Sequence, residues 1–421
     1  VSLPAALTVI PPKRALIGRI APPGSKSITN RLLLIASLAT GVSHLTGALK
    51  SDDTAYMARA LADMGVGIAE PGPTRFDVYG TGHLNPPAQP LFLGNAGTAT
   101  RFLTAAAALA DGPVTIDGDA HMRKRPIGPL LTALGQLGIT AASDTGCPPV
   151  HVTGRGFIDG GRVEIDAGLS SQYVSAILMI APLARAPVDI VLTGADIGAR
   201  GYVDLTLAAM SAFGAKADLI GPGHWRVSPG RYHACDLLVE PDASAATYLW
   251  AAEKITGGAI DLGVAPNAFT QPDARAYDFI QSWPDMPSLI DGAQMQDAVP
   301  TLAVIAAFNK SPVRFTGIAN LRVKECDRIR ALFNELNRIK PDLAIEAGDD
   351  LIVTGSHDLI GRFFDTKIET YHDHRIAMSF ALAGLLLGGI TILDPACVAK
   401  TYPGYFDDLA ALGVELHPAQ I

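Results

Sequence analysis

The chain has 421 residues, more than one hydrophobic core usually serves, so two or three domains are expected. Charged residues make up 18% and AVILMFWYC residues 48%, which excludes long-range disorder. The 33 Lys and Arg against 41 Asp and Glu give the wrong sign for a general nucleic-acid binder, and four scattered cysteines without a C-x-x-C pair argue against a disulfide scaffold or zinc ribbon.

The opening stretch places apolar residues before Lys13 and Arg14 and is interrupted by Pro4, Pro11 and Pro12, the reverse of a secretory signal. Together with the cysteine usage this predicts a cytoplasmic protein. Further along, a helix ending in L-x-x-[LM]-x-x-[LMF]-G, a strand, a Gly/Pro/Asp turn and a second strand recur at Ala58 to Gly80, Leu130 to Gly154 and Leu205 to Gly230. Weaker copies lie at Ile329 to Gly355 and around Leu409 to Leu416, and one copy's worth of chain, about Glu253 to Asn309, is degraded. Six αβ units in two three-unit domains are predicted. The uncharged run Ile376 to Leu393 reads as a buried helix and then a buried strand, because Gly384, Gly388 and Gly389 interrupt it and Ile390-Thr-Ile-Leu is strand-like.

A second set of helices begins at small polar residues: Gly24-Ser-Lys-Ser27, Asn95-Ala-Gly-Thr98, Ser170-Ser-Gln172, Asp242-Ala-Ser244 and Lys324-Glu-Cys-Asp327. Any one of these is an ordinary N-cap. Five starts facing one cleft, each with free N–H groups and about half a positive charge, would form an anion site without a metal or P-loop. Basic residues stand beside them: Lys26, Arg31, Arg101, Arg123, Arg125, Arg200, Lys324, Arg328, Arg375 and Lys400. Arg123-Lys-Arg125 alone would pass for a solvated face, whereas Lys26 and Arg375 each precede an apolar helix and sit at a core's edge. Such placement favours a small polyanion. Gly24-Ser-Lys-Ser lacks the Walker A glycine before its lysine, and His372 and His374 stand one residue apart without a ligand cluster, so neither ATP hydrolysis nor a metal is expected.

Ten segments in order then carry a resemblance: PPGSKSITNR (22–31), LGNAGTATRFL (93–103), RKRPIG (123–128), SSQY (170–173), GYVDLT (201–206), DASAATY (242–248), QDAVPTLAV (296–304), NLRVKECDRI (320–329), YHDHRIAM (371–378) and AKTYPGYF (399–406). Through them the chain resembles the EPSP synthase (3-phosphoshikimate 1-carboxyvinyltransferase) family over essentially its full length. The resemblance implies an α/β fold of two similar domains, each of three βαβαββ units around a pseudo-threefold axis, the inside-out α/β barrel of the enolpyruvyl transferases. Residues 1–20 plus 240–421 would form one domain and 21–239 the other, with the active site in the interdomain cleft.

The implied reaction moves the enolpyruvyl group of phosphoenolpyruvate to the 5-hydroxyl of shikimate 3-phosphate and releases phosphate by addition and elimination. It asks for an acid and a base on two sides of the reacting carbon. By motif position Glu325 is the acid and Asp297 the base, with Lys324 and Lys26 completing the catalytic set. Phosphoenolpyruvate would meet Lys26, Asn95, Gly97, Arg125, Gln172, Arg328, Arg375 and Lys400. Shikimate 3-phosphate would meet Lys26, Ser27, Arg31, Ser170, Ser171, Gln172, Arg200, Tyr202, Asp297, Asn320 and Lys324. No metal and no cofactor is implied, a monomer is expected, and glyphosate is the expected inhibitor at the phosphoenolpyruvate position. Three departures stand out. Ala199-Arg200-Gly201 replaces the commoner Ser-Lys-Pro, Cys326 stands for Thr or Ser and reads as a small helix-start residue rather than a reactive thiol, and Phe102 replaces proline after Arg101. UDP-N-acetylglucosamine enolpyruvyl transferase and a non-catalytic anion-binding module of the same fold are the alternatives.

Overall fold

The computed structural model describes residues 3–166, 168, 170–194 and 200–420. Ala199 of the sugar-phosphate loop lies outside the described residues. The chain divides into two compact units, Val1–Pro23 with Pro241–Ile421, and Gly24–Glu240.

The Gly24–Glu240 unit carries helices α1 (Lys26–Leu38), α2 (Asp52–Asp63), α3 (Gly97–Ala106), α4 (Gly128–Gln136), α5 (Ser171–Ile180) and α6 (Gly201–Ala212). The other carries α7 (Ala243–Thr256), α8 (Ala276–Ser282), α9 (Val299–Ala306), α10 (Arg328–Ile339), α11 (His374–Leu386) and α12 (Tyr405–Ala411). The odd-numbered helices are the inner ones. All residues of α3, α9 and α11 are buried, and α5 leaves only Gln172 partly open. Each fully buried Leu, Ile or Phe on them stabilises the unit by ~1.5–3 kcal/mol relative to exposure. The even-numbered helices bury one face only, which is why their sequences show the L-x-x-L periodicity.

One βαβαββ unit shows the plan. Strand Gly161–Asp166 leads through α5 to the parallel strand Val188–Thr193, and α6 then leads to the antiparallel hairpin Ala217–Gly221/His224–Val227. Gly65, Gly138 and Gly214 end α2, α4 and α6 in left-handed backbone, at φ +91°, +74° and +89°, the geometry that closes a helix onto the following strand. The degraded copy corresponds to a sheet of two strands, Ile17–Arg19 with Ala259–Asp261. In the last copy the third position in the sheet is taken by the N-terminal strand Ala6–Ile10, paired to both Gly388–Leu393 and Glu415–Pro418. The predicted helix and strand at 376–393 are α11 and Gly388–Leu393. No described helix is long and apolar enough to cross a membrane.

Candidate active-site residues in each unit

In the Gly24–Glu240 unit the inner helices begin beside one another. The Ser25 hydroxyl caps α1 by accepting from Ile28 N, and the Ser170 hydroxyl caps α5 by accepting from Gln172 N at 3.2 Å. The Gln172 side-chain amide donates to Thr98 Oγ1 at 3.3 Å and so ties the start of α5 to that of α3. Lys26, the first residue of α1, is buried, with its Nζ 3.5 Å from the buried carboxylate of Asp53 on α2. The start of α3 departs from expectation. Its N-cap is Ala96, with no side-chain cap, because Asn95 Oδ1 accepts instead from an Arg125 guanidinium N–H at 3.0 Å.

Arg125 is placed by its loop. The Pro126 carbonyl accepts from Arg101 at 3.1 Å and from the Tyr173 hydroxyl at 2.7 Å, and Arg101 also donates to the Gly97 carbonyl. A Cβ on Gly97 would stand 2.6 Å from both Arg101 and Arg125, so two guanidiniums close over the first turn of α3 only because glycine is there. Arg123 and Lys124 are exposed, and Arg123 pairs with Asp117, so the solvated-face reading holds for those two and fails for Arg125.

Arg31 lies deeper than Lys26 and Ser27 of the same motif. It is 1% exposed and donates to Thr206 Oγ1, Ser175 Oγ and the carbonyls of Ser27 and Tyr202, with its guanidinium 5.1 Å from the centre of the Phe102 ring. Burial, with no carboxylate partner among the described residues, pulls its pKa down to about 10, so it stays charged at neutral pH. It is a cation sealed under the starts of α1 and α6. Ser27, Gln172 and Tyr202 are partly open, Ser171 is buried and Arg200 is exposed at the N-cap of α6.

The other unit gathers the remaining residues. Asp297, in the short turn before α9, accepts from Arg328 at 3.1 Å and from Arg375 at 2.8 Å, with Lys324 Nζ 3.7 Å away. Glu325 accepts from Arg328 at 2.7 Å, and Lys400 Nζ lies 3.9 Å from its other oxygen. Arg328 is 1% exposed. Burial opposes its charge, but Asp373, Glu325 and Asp297 outweigh that and raise it above the ordinary guanidinium value. Arg375 is raised in the same way, by Asp297, Tyr248, Asp242 and Asp273 against burial. Its Nε is a buried donor without a partner among the described residues, as is the Asn320 Oδ1 acceptor, and Asn320 donates to Gln296 beside Asp297.

Two features had no clear place in the sequence reading. Asp373, hidden inside YHDHR, caps α11, and Tyr371 and His372 just before it are consecutive non-glycine residues in left-handed backbone, at φ +55° and +53°. Such residues cost ~1–2 kcal/mol each, and here the strain is held by Tyr371 donating to Glu335 and by His372 against Asp394. Cys326 is partly buried, and burial followed by Asp373 pushes its thiol well above the ordinary range. Iodoacetamide near neutral pH should therefore leave Cys326 unlabelled in the folded protein and label it after unfolding. Equal rates in the two states would show that the thiol is reactive after all. Among the described residues no group of three or more His, Cys, Asp or Glu could hold a metal ion.

A model of the family described as EPSP synthase (3-phosphoshikimate 1-carboxyvinyltransferase) matches residues 10–282 and 284–409. The chain is 67% identical over 410 residues to a 3-phosphoshikimate 1-carboxyvinyltransferase of Rhizobium leguminosarum bv. trifolii, covering 97% of this chain and 98% of the relative. It is 63% identical over 412 residues to that of Pseudomonas syringae pv. syringae, covering 98% and 99%. The structure resembles EPSP synthase from Acinetobacter baumannii with a TM-score of 0.78 at 26% identity, over 98% of this chain and 99% of that one. The enolpyruvyl transferase NikO from Streptomyces tendae shares the fold, with a TM-score of 0.75 at 16% identity over 99% of each chain. With its capped helix starts, ringed carboxylates and nearly end-to-end match, the chain belongs to the EPSP synthase (3-phosphoshikimate 1-carboxyvinyltransferase) family.

Proposed function

We infer that the chain transfers the enolpyruvyl group of phosphoenolpyruvate to the 5-hydroxyl of shikimate 3-phosphate. The observation that carries this is the pair of carboxylates on one guanidinium: Arg328 holds both Asp297 and Glu325, in a setting that also contains Lys324, Arg375 and Lys400. An acid and a base serving one reacting carbon account for these two carboxylates among the cations.

The chemistry balances with proton transfers alone. Glu325 delivers a proton to the methylene carbon while the 5-hydroxyl oxygen bonds to the adjacent carbon and its proton passes to Asp297, giving a tetrahedral adduct. Elimination then returns a methyl proton to Glu325, re-forms the double bond and expels phosphate, which takes up the proton held by Asp297, so both carboxyl groups regain their starting states. Lys324 and Lys400 adjoin the two carboxylates and offset the charge that moves between them. Arg125, Arg328 and Arg375 supply paired N–H groups suited to a planar carboxylate, and Lys26 serves as a compact counter-charge for phosphate. Shikimate 3-phosphate falls to Ser27, Ser170, Ser171, Gln172, Arg200, Tyr202 and Asn320, with Arg31 acting as a buried positive charge beside Ser27 and Tyr202. The polar surroundings of Gly97 suit glyphosate as a competitor of phosphoenolpyruvate, and the four free cysteines suit the reducing cytoplasm.

Phosphate release from phosphoenolpyruvate tests the reading. Release with shikimate 3-phosphate but not with UDP-N-acetylglucosamine is expected, and the reverse preference would move the chain to the UDP-sugar branch. Lys26→Ala and Arg375→Ala should weaken phosphoenolpyruvate binding by ~10-fold or more while changing shikimate 3-phosphate binding less, since a charge-assisted hydrogen bond to a ligand is worth ~1.5–3 kcal/mol. Calorimetric titration of each ligand separates the two, and equal losses for both would mean general damage to the site.

A further inference from the structure

Asp373 lies behind the residues assigned to phosphoenolpyruvate, with 0% of its surface exposed, so it cannot itself touch a ligand. Its contacts nevertheless reach both buried arginines. Arg328 Nε donates to Oδ2 at 2.7 Å and one of its terminal nitrogens donates to Oδ1 at 3.2 Å, a fork that fixes the guanidinium plane. The same Oδ1 accepts from the backbone N–H of Arg375 at 2.8 Å, capping α11 and fixing where the Arg375 side chain departs. Both arginines then donate to the single carboxylate of Asp297, so their outer N–H groups stand within one carboxylate's width of each other. The seat of Asp373 is itself held from two sides. Tyr371 is tied to Glu335 on α10, and His372 to Asp394, which begins the turn that carries Lys400.

We propose that Asp373 is a positioning residue for phosphoenolpyruvate: one buried carboxylate sets Arg328 through its fork and Arg375 through the start of α11, so that the two guanidiniums meet the same anionic group. This rests on the assignment of those arginines to phosphoenolpyruvate. Preorganisation of this kind affects the ligand that the arginines hold and leaves the other substrate alone.

Two variants test it. Asp373→Ser keeps a good helix cap and removes the fork, while Asp373→Asn keeps the shape and removes the charge. In the full chain, both should raise KM for phosphoenolpyruvate by ~10-fold or more, change KM for shikimate 3-phosphate less than threefold, and bind shikimate 3-phosphate alone as the parent does. Combining Asp373→Ser with Arg328→Lys should add little, because lysine has no fork to lose. A residue that only stabilised the fold would lower the melting temperature and leave KM of the folded fraction unchanged. That result, full additivity with Arg328→Lys, or failure of both single variants to fold would overturn the proposal. Parent turnover with shikimate 3-phosphate is measured in the same series, so loss of the functional reading would appear in the parent and loss of this inference only in the variants.

Discussion

Glu325→Gln and Asp297→Asn should each lower kcat by ~10²- to 10⁴-fold, the usual cost of removing one catalytic proton transfer. Each amide keeps the size of the acid it replaces and can still accept from Arg328, so the melting temperature should move little. The charge argument makes the test sharper than a loss of activity. The ion pairs set four cations, Lys324, Arg328, Arg375 and Lys400, against three carboxylates, Asp297, Glu325 and Asp373. Removing the Asp297 charge makes this cluster more positive, and because the amide keeps one acceptor oxygen for Arg328, it frees the N–H of Arg375 that Asp297 now occupies. Phosphoenolpyruvate should therefore bind Asp297→Asn at least as tightly as the parent while turnover collapses. Near-normal turnover in either variant would remove that residue from the mechanism. A large loss of phosphoenolpyruvate affinity in Asp297→Asn would instead make its carboxylate a strut for the arginines.

The same cluster shows which parts of the molecule were legible in the sequence. Inner helices betray themselves by unbroken apolar runs, so α11 and the strand after it could be placed from composition alone, and glycine after L-x-x-L marked the ends of α2, α4 and α6. What local pattern cannot carry is pairing across the chain. The strand Ala6–Ile10 enters a sheet with residues nearly the whole chain away, as Thr8 bonding to Thr391 shows, and nothing within five residues announces that register. Charged side chains divide in the same manner. Lys26, Arg328 and Arg375 were visible as cations at helix starts. The carboxylates that hold them, Asp53 and Asp373, look in sequence like any N-terminal acidic residue. For Arg31 a motif position does not show that the guanidinium turns onto Thr206 and Ser175. The bond from Arg125 to Asn95 could not be seen either, because the two residues are thirty positions apart.

Gly97→Ala should raise KM for phosphoenolpyruvate and the inhibition constant of glyphosate together, by ~5- to 100-fold, without harming the fold. Three local facts lead there. Gly97 is the first residue of α3 at ordinary negative φ, so alanine meets no backbone strain, and alanine inside a helix is favoured over glycine by ~0.5–1 kcal/mol. The new Cβ would lie 2.6 Å from Arg101 and from Arg125, and 2.7 Å from the central carbon of the Arg125 guanidinium. Those atoms are the ends of flexible side chains, so they can move, but moving them breaks what they now hold: Arg101 to the Gly97 and Pro126 carbonyls, and Arg125 to Asn95. Relief of the clash thus displaces the anion-binding groups rather than the core, and overpacking of this kind costs ~1–3 kcal/mol at the site where it is felt. The departure at Phe102 does not alter this. Phe102 sits in the second turn of α3, wholly buried, with the Arg31 guanidinium near its ring, away from the first turn that presents Gly97. The native enzyme should accordingly be inhibited by glyphosate in competition with phosphoenolpyruvate. A Gly97→Ala variant that keeps or exceeds the parent melting temperature while both constants rise is the expected result, measured by thermal unfolding and inhibition kinetics. A variant that loses stability with both constants unchanged would show that the two arginines adjust freely and that Gly97 serves the packing of α3 instead.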